Sequence, residues 1–228
     1  MRLYKDGVFH SHYNPGHKVT RGVWDLLVLP TLLHPPGSIQ RVLLLGVGGG
    51  AAIHLLNHFV QPSHITAIEL DPLHITVAKR FFKINHSNTQ LIENDAIAWV
   101  KRKAALKKPP TFDLIIDDLY GEEGGEPVRA IQANEQWCSA LHTLLSKDGL
   151  LVSNFVTRSE LHSSAYCKNK AVKQLFNSRY KFTNPLYQNQ IGAFSKRASH
   201  KRTFRHNITL HRELSGERYQ KSFKFRAL

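Results

Sequence analysis

Cysteine is scarce in this sequence: Cys138 and Cys167 stand alone, without the spacing of a metal site. Two isolated thiols exclude a disulfide framework and suit a reducing compartment. Also missing is any apolar run near the ~18 residues that a membrane span requires. The start, MRLYKDGVFHSHY, has no apolar core of the signal-peptide kind. The expectation is therefore a cytoplasmic protein with no membrane contact and no metal. Internal repeats are absent too. Acidic residues are in short supply, because 31 Lys and Arg face 17 Asp and Glu for a formal net charge of +14.

That excess is unevenly placed. Residues 196–228 hold ten Lys and Arg against Glu213 and Glu217, and KRKAALKKPP adds five more basic residues from Lys101 to Lys108. Such clusters hold phosphates through counterion release, or they form a solvated face. No known DNA- or RNA-binding motif accompanies them, so a polyanion or RNA contact through the tail stays open. Few apolar residues are consecutive beyond Lys196, which predicts a basic appendage of low order over 197–228. Phe204, Ile208, Leu210 and Leu214 nevertheless alternate closely enough for a strand or helix against the domain or a second subunit, and a homodimer is an open expectation.

At 228 residues and 42% hydrophobic content, the chain suits one domain with a full core. Strand patterns at 41–46, 64–70, 89–93, 112–117 and 149–155 alternate with helix patterns at 51–59, 72–84, 96–103 and 129–145. A helix over 161–176 and closing strands at 179–183 and 190–195 follow. This is the order of an α/β, doubly wound sheet. Pro72 suits a first helical turn, Asp95 a helix cap, and Lys147-Asp148-Gly149 a turn back into a strand. The expected organisation is a short segment, 1–40, covering the site, a main domain over 41–196, and the tail.

The stretch RVLLLGVGGGAAIHLLNHF joins an apolar strand to a helix through a glycine-rich turn. Gly46, Gly48 and Gly50 carry no Cβ to block a nucleotide-like ligand, and the helix start presents unpaired N–H groups. By itself the turn also fits NAD enzymes. More specificity comes from ITAIELDP, which ends the second strand and places Glu69 nineteen residues after Gly50, where a carboxylate can accept both hydroxyls of a ribose. The third strand ends in LIENDAIAW, where Asp95 and Ala96 can meet an adenine edge. The fourth ends in FDLIIDDLYGEEGGE, an acidic cluster beside the same crevice.

Together these segments resemble the spermidine synthase-like branch of the class I S-adenosylmethionine-dependent transferases. The resemblance runs over 42–196; AIELDPLHITVAKRFF is its most specific piece, and FDLIIDD, LLSKDGLLV and NQIGAFSK are similar to family segments in the same order. It implies a Rossmann-like class I methyltransferase sheet, mostly parallel with the last strand antiparallel. It also implies S-adenosylmethionine or decarboxylated S-adenosylmethionine as the ligand. Carried over, Gly46, Gly48 and Gly50 line the methionine-derived part, Glu69 binds ribose, Asp95 and Ala96 face adenine, and Asp118 closes the site.

Two departures bear on the reaction. Aminopropyltransferases of the family carry Gly-Gly-Gly-Asp-Gly-Gly in the first loop and Asp-Ser-Ser-Asp-Pro after strand four. Here Gly49 replaces the first loop's acid and Gly121 the Asp expected to take a proton from the attacking amine. A diamine arrives as a dication with pKa values of about 10, so that base matters. Glu122 or Glu123 are the candidate substitutes, with Asp118 and Glu122 as the catalytic pair. Methyl transfer asks for less, because an aligned, desolvated acceptor reacts with little acid–base help. The sequence therefore favours methyl transfer to a small-molecule or protein amine acceptor, with Asp117, Asp118, Glu122, Glu123 and Glu126 as an acidic rim. Aminopropyl transfer and a catalytically silent sulfonium-binding protein are the alternatives. His54 and His58 lack a third metal ligand, Trp24, Trp99 and Trp137 read as packing anchors, and Ser153 and Cys138 lack a base partner.

Overall fold

The computed structural model describes residues 1–5 and 8–228, so two positions of the N-terminal segment lie outside the described residues. The chain opens with an antiparallel hairpin, β1 (Arg2–Lys5) and β2 (Val8–His12), then α1 (Val23–Val28) and a 3₁₀ turn, Leu29–Leu33. The strand–helix alternation follows: β3 (Arg41–Leu45), α2 (Ala51–Phe59), β4 (His64–Glu69), α3 (Pro72–Arg80), β5 (Thr89–Glu93) and α4 (Ala96–Ala104). Next come β6 (Phe112–Asp117), a small hairpin of β7 (Tyr120–Glu123) and β8 (Glu126–Arg129), α5 (Glu135–Thr143) and β9 (Leu145–Phe155). Three short helices, α6 (Arg158–Ser163), α7 (Ala165–Lys168) and α8 (Lys170–Gln174), lead to β10 (Ser178–Thr183) and β11 (Gln190–Ser195). The chain closes with α9 (Lys201–Ile208), α10 (Arg212–Ser215), α11 (Glu217–Gln220) and β12 (Lys224–Ala227).

Eight strands form the central sheet in the order β12-β10-β11-β9-β6-β3-β4-β5. The pairs from β9 through β6, β3 and β4 to β5 are parallel, whereas β11 pairs antiparallel with β9 and β10, and β12 antiparallel with β10. Apolar layers cover both faces, one including Leu27, Leu44, Leu56, Phe182 and Phe204, the other Leu43, Trp99, Trp137, Phe155 and Phe194. Burial on both sides explains why β3 and β6 read as continuous apolar runs. No helix among the described residues is long and apolar enough to cross a membrane.

Local chemistry sets several boundaries as expected. Pro72 opens α3, where Asp71 caps Leu73 N at 2.8 Å, and Asp95 caps α4 by accepting from Ile97 N at 2.8 Å. Other expectations fail. The helix predicted over 129–145 begins at Glu135, because Asn134 caps it through Trp137 N and Arg129 ends the hairpin. The helix predicted over 161–176 is broken into three, with Ser164 and Asn169 in extended conformation at the breaks. Lys147 to Gly149 lies inside β9 rather than before it, where the β6 register shifts.

The tail is the largest correction. Residues 197–228 are not a loosely ordered appendage: α9 packs on the 3₁₀ turn, and β12 adds the edge strand of the sheet. Phe204, Ile208, Leu214, Tyr219 and Phe223 are buried in the core. Asn207 donates from Nδ2 to Leu32 O at 2.9 Å and His34 O at 2.8 Å, and the Tyr219 hydroxyl meets Asp25 at 3.0 Å. The basic side chains of α9, Lys201, Arg202 and Arg205, remain exposed on its outer side.

Candidate functional site

Parallel strands that all end on one side bring Gly46, Glu69, Asp95 and Asp117–Asp118 to one edge of the sheet, the usual place for a ligand in such a fold. Glu69, only 8 % exposed, organises the first loop. Its Oε2 accepts from Val47 N at 2.8 Å and Gly48 N at 2.9 Å, and its Oε1 accepts from Asp71 N at 3.0 Å. The His74 imidazole lies 3.6 Å from Oε1. Burial pushes the Glu69 carboxyl up, but the bonds from His74 and the three N–H groups outweigh it and hold the group below its ordinary range. Two carboxylate oxygens offer about four acceptor sites and these four donors meet them, so a ribose hydroxyl would have to take the place of one of them. Next to it, Leu70 is 70 % exposed and leaves apolar surface uncovered at the strand end.

Two of the glycines have a reason besides the one expected. A Cβ on Gly46 would lie 2.2 Å from the backbone oxygen of Asp118, and one on Gly50 would lie 2.6 Å from Ile84 Cγ1. Both residues have positive φ, 84° and 88°. Their close approach is thus to the protein's own β6 end and α3–β5 loop. The Ser11 hydroxyl, buried at the end of β2, accepts from Ala51 N at 3.3 Å and covers the first turn of α2. Ala96 has its methyl in an apolar layer, so what it can offer a ligand is its backbone N–H.

Asp118 is half-buried, and its Oδ1 accepts from Asn154 Nδ2 at 2.8 Å. Burial pushes its carboxyl up to about 6, the Asn154 amide opposing and the neighbouring Asp117 adding to the rise. Asp117 is fully buried and gathers three donors on Oδ2: Arg129 Nη2 at 2.7 Å, Trp137 Nε1 at 3.1 Å and Ser153 Oγ at 3.2 Å. Its Oδ1 and the buried Tyr120 hydroxyl have no hydrogen-bond partner among the described residues. Glu122 is exposed on the hairpin and accepts from Gly125 N, within its own turn. The structure therefore gives Asp118 a partnered place at the strand end and leaves Glu122, Glu123 and Glu126 on an exposed arm.

Sequence reasoning missed Arg129, Asn154, Asn189 and Glu160. A signal for Arg129 existed, since it is the first basic residue after six acids between Asp113 and Glu126. His54 and His58 have other partners: His54 stacks on Tyr13 and contacts Phe82 O, and His58 meets Glu213 at 3.0 Å. Trp99 packs in an apolar layer, while Trp137 both packs and holds Asp117.

Compared with known proteins, the fold is that of Rossmann-like class I methyltransferases. It matches human Methyltransferase-like protein 13 in complex with SAH at a TM-score of 0.64 and 20% identity, covering 86% of this chain and 90% of that one. The family is defined further by sequence. The model of the spermine/spermidine synthase domain matches residues 25–207, and the chain belongs to that family. A polyamine aminopropyltransferase of Vibrio vulnificus is 28% identical over 160 residues, 70% of this chain and 50% of that protein. An N-terminal histidine N-methyltransferase of Emericella nidulans is 31% identical over 140 residues, 61% of this chain and 24% of that protein. The chain thus spans half the length or less of these curated relatives.

Replacing Glu69 with Ala is expected to weaken binding of S-adenosylmethionine at least about tenfold, because charge-assisted bonds of roughly 1.5–3 kcal/mol each are lost. It also leaves Val47, Gly48 and Asp71 N–H groups without their acceptor. Calorimetric titration checks this, and unchanged affinity would remove Glu69 from the ligand site.

Proposed function

We propose that this chain is an S-adenosylmethionine-dependent transferase that methylates an amine of a cationic small-molecule or protein acceptor. The observation that carries the reading is the acceptor loop. At Gly121, where the aminopropyltransferases it resembles carry a proton-accepting Asp, the residue itself supplies no acid, and apart from its two chain neighbours a Cβ would meet nothing within 4 Å. Asp118 is left as the partnered carboxylate beside the crevice. A methyltransferase relative and an SAH-bound structural neighbour support the donor, while an aminopropyltransferase relative keeps aminopropyl transfer from decarboxylated S-adenosylmethionine as the second reading.

The residues present fit the donor: Glu69 sets a carboxylate at the end of β4 that can accept from a ribose hydroxyl in exchange for one of its loop N–H groups, and Leu70 offers apolar surface beside it. When bound, S-adenosylmethionine supplies a methyl group already activated on sulfur. The chain's own task is then to hold the acceptor and manage one proton. An amine with a pKa of about 10 arrives protonated and must be neutral to attack. Asp118, ionised above about 6, attracts the cation and accepts its proton, and the acidic hairpin adds to the negative field.

Activity is therefore expected to fall as pH drops through about 6, the value at which Asp118 gains its proton. Asp118→Asn should remove that limb and lower kcat/KM by about 10² or more. The deciding experiment incubates the chain with each sulfonium donor plus putrescine, spermidine and amine-bearing peptides, and reads products by mass. Spermidine formed from putrescine would overturn methyl transfer in favour of the second reading. Donor binding without turnover on any acceptor would mark a silent sulfonium-binding protein.

A further inference from the structure

Arg129 has no role in the chemistry above, yet it is the most heavily engaged cation near the site. Its side chain is 3 % exposed. From the end of β8 the guanidinium reaches three other elements. Nη2 donates to Asp117 Oδ2 at 2.7 Å at the end of β6, and Nη1 donates to the backbone oxygen of Asn154 at the end of β9. Nε donates to Ile131 O at 3.2 Å and lies 3.5 Å from Glu160 Oε1 on α6. The plane sits over the Phe155 ring, 5.1 Å from its centroid.

Asn154 is the residue through which this matters. With its backbone fixed by Arg129, its side chain donates to Asp118 Oδ1 at 2.8 Å and accepts from Asn189 Nδ2 at 3.1 Å. Asn189 lies between β10 and β11, so a second loop is tied to the same point. An ion pair serving only to bury Asp117 would need one N–H. Here the fork is divided between Asp117 and the backbone of the residue that orients Asp118, a geometry that a lysine ammonium does not reproduce. Arg129 also stands directly opposite Tyr120 in the β7–β8 register, so its bonds to Asp117 and Asn154 tie the base of the hairpin to β6 and β9.

We propose that Arg129 is a positioning residue for the acceptor side of the site: it locks Asn154 so that its amide holds Asp118 in one orientation, and it fixes the angle of the acidic hairpin. The proposal rests on the reading that Asp118 faces the acceptor. The charged and titratable groups around Asp118 are Asp117, Arg129, Glu69 and Tyr120, with Glu160 beyond Arg129. Removing the guanidinium leaves this set acidic without compensation.

The test compares Arg129→Gln and Arg129→Lys with the unaltered chain. The Asp118 carboxyl titration is followed by ¹³C NMR, with Asp118→Asn assigning the resonance. Arg129→Gln should move that titration upward by about half a pH unit or more, through loss of a nearby cation. It should raise acceptor KM about tenfold or more while donor affinity by calorimetry stays within about twofold. Arg129→Lys should restore most of the titration but little of the KM, since it returns charge without the fork. A folded Arg129→Gln chain with unchanged titration and unchanged KM would overturn the proposal, as would equal losses of donor and acceptor binding. If Arg129→Gln fails to fold, Arg129→Lys decides, because it keeps the charge and removes only the fork. A raised acceptor KM with donor affinity unchanged then supports the proposal, and an unchanged KM overturns it. The titration needs no turnover, so a chain that methylates nothing but shows the shift would fail as a methyltransferase and still retain the positioning network.

Discussion

A chain ending at Lys196 is expected not to fold. Truncation there removes Phe204, Ile208, Leu214, Tyr219 and Phe223, which are 2 %, 2 %, 3 %, 8 % and 7 % exposed. At roughly 1.5–3 kcal/mol for each buried side chain, the loss is about 8–15 kcal/mol. That equals the whole stability of a typical domain, about 5–15 kcal/mol. The cut also strips β12 from β10 and uncovers the apolar side of the 3₁₀ turn. Soluble expression followed by a thermal melt reads the outcome. A cooperative transition within a few degrees of the full chain would show that α9 to β12 are dispensable. Contact with a polyanion is for us a proposal about the exposed side of α9, and it is tested by neutralising Lys201, Arg202 and Arg205 rather than by removing the helix.

Gly46→Ala is expected to be nearly as damaging from a single methyl group. The new Cβ would lie 2.2 Å from the Asp118 carbonyl oxygen, a distance no side-chain rotation relieves because both atoms belong to the backbone frame. The residue also has φ of 84°, which an L side chain adopts only with strain. The end of β3 or the end of β6 must move, and both end at the site. A loss of about 4 kcal/mol or more fits the range seen when packing and backbone strain combine. Donor binding should disappear with it. Thermal melts and calorimetry together separate the cases: a variant of normal stability and normal affinity would show that the β3–β6 contact is loose.

Gly46 also shows how far the sequence could be read. The turn, its glycines and its place between strand and helix were legible because a buried strand, a run of glycines and an apolar helix are each local signals. Their reason was not, since a ligand and a neighbouring strand end impose the same requirement on a glycine. The same limit explains the hairpin at 120–129: acids and glycines look like a solvated loop, and only the antiparallel pairing of β7 with β8, from Tyr120–Arg129 to Glu123–Glu126, makes it a ribbon. Arg129, Asn154 and Glu160 come together from three elements up to 31 positions apart, and no spacing rule joins them. In the tail, Phe204, Ile208 and Leu214 did mark an apolar side, but ten surrounding cations drew the reading toward solvent. Of the candidate site, the strand-end positions were visible and the network behind Asp118 was not.

The bond from Asn207 to the carbonyls of Leu32 and His34 has a consequence for how the molecule is made. A ribosome delivers residues 29–33 long before α9, and these five are buried in the finished fold. Sequence-local contacts can assemble β3 to β5 early, while this join must close across 173 and 175 positions. During that interval the emerging polypeptide carries an uncovered greasy surface, the kind of surface that chaperones shield and aggregates capture. The step that seals this surface therefore waits until α9 has emerged, and a pause in translation shortly before α9 would prolong the chain's most vulnerable state.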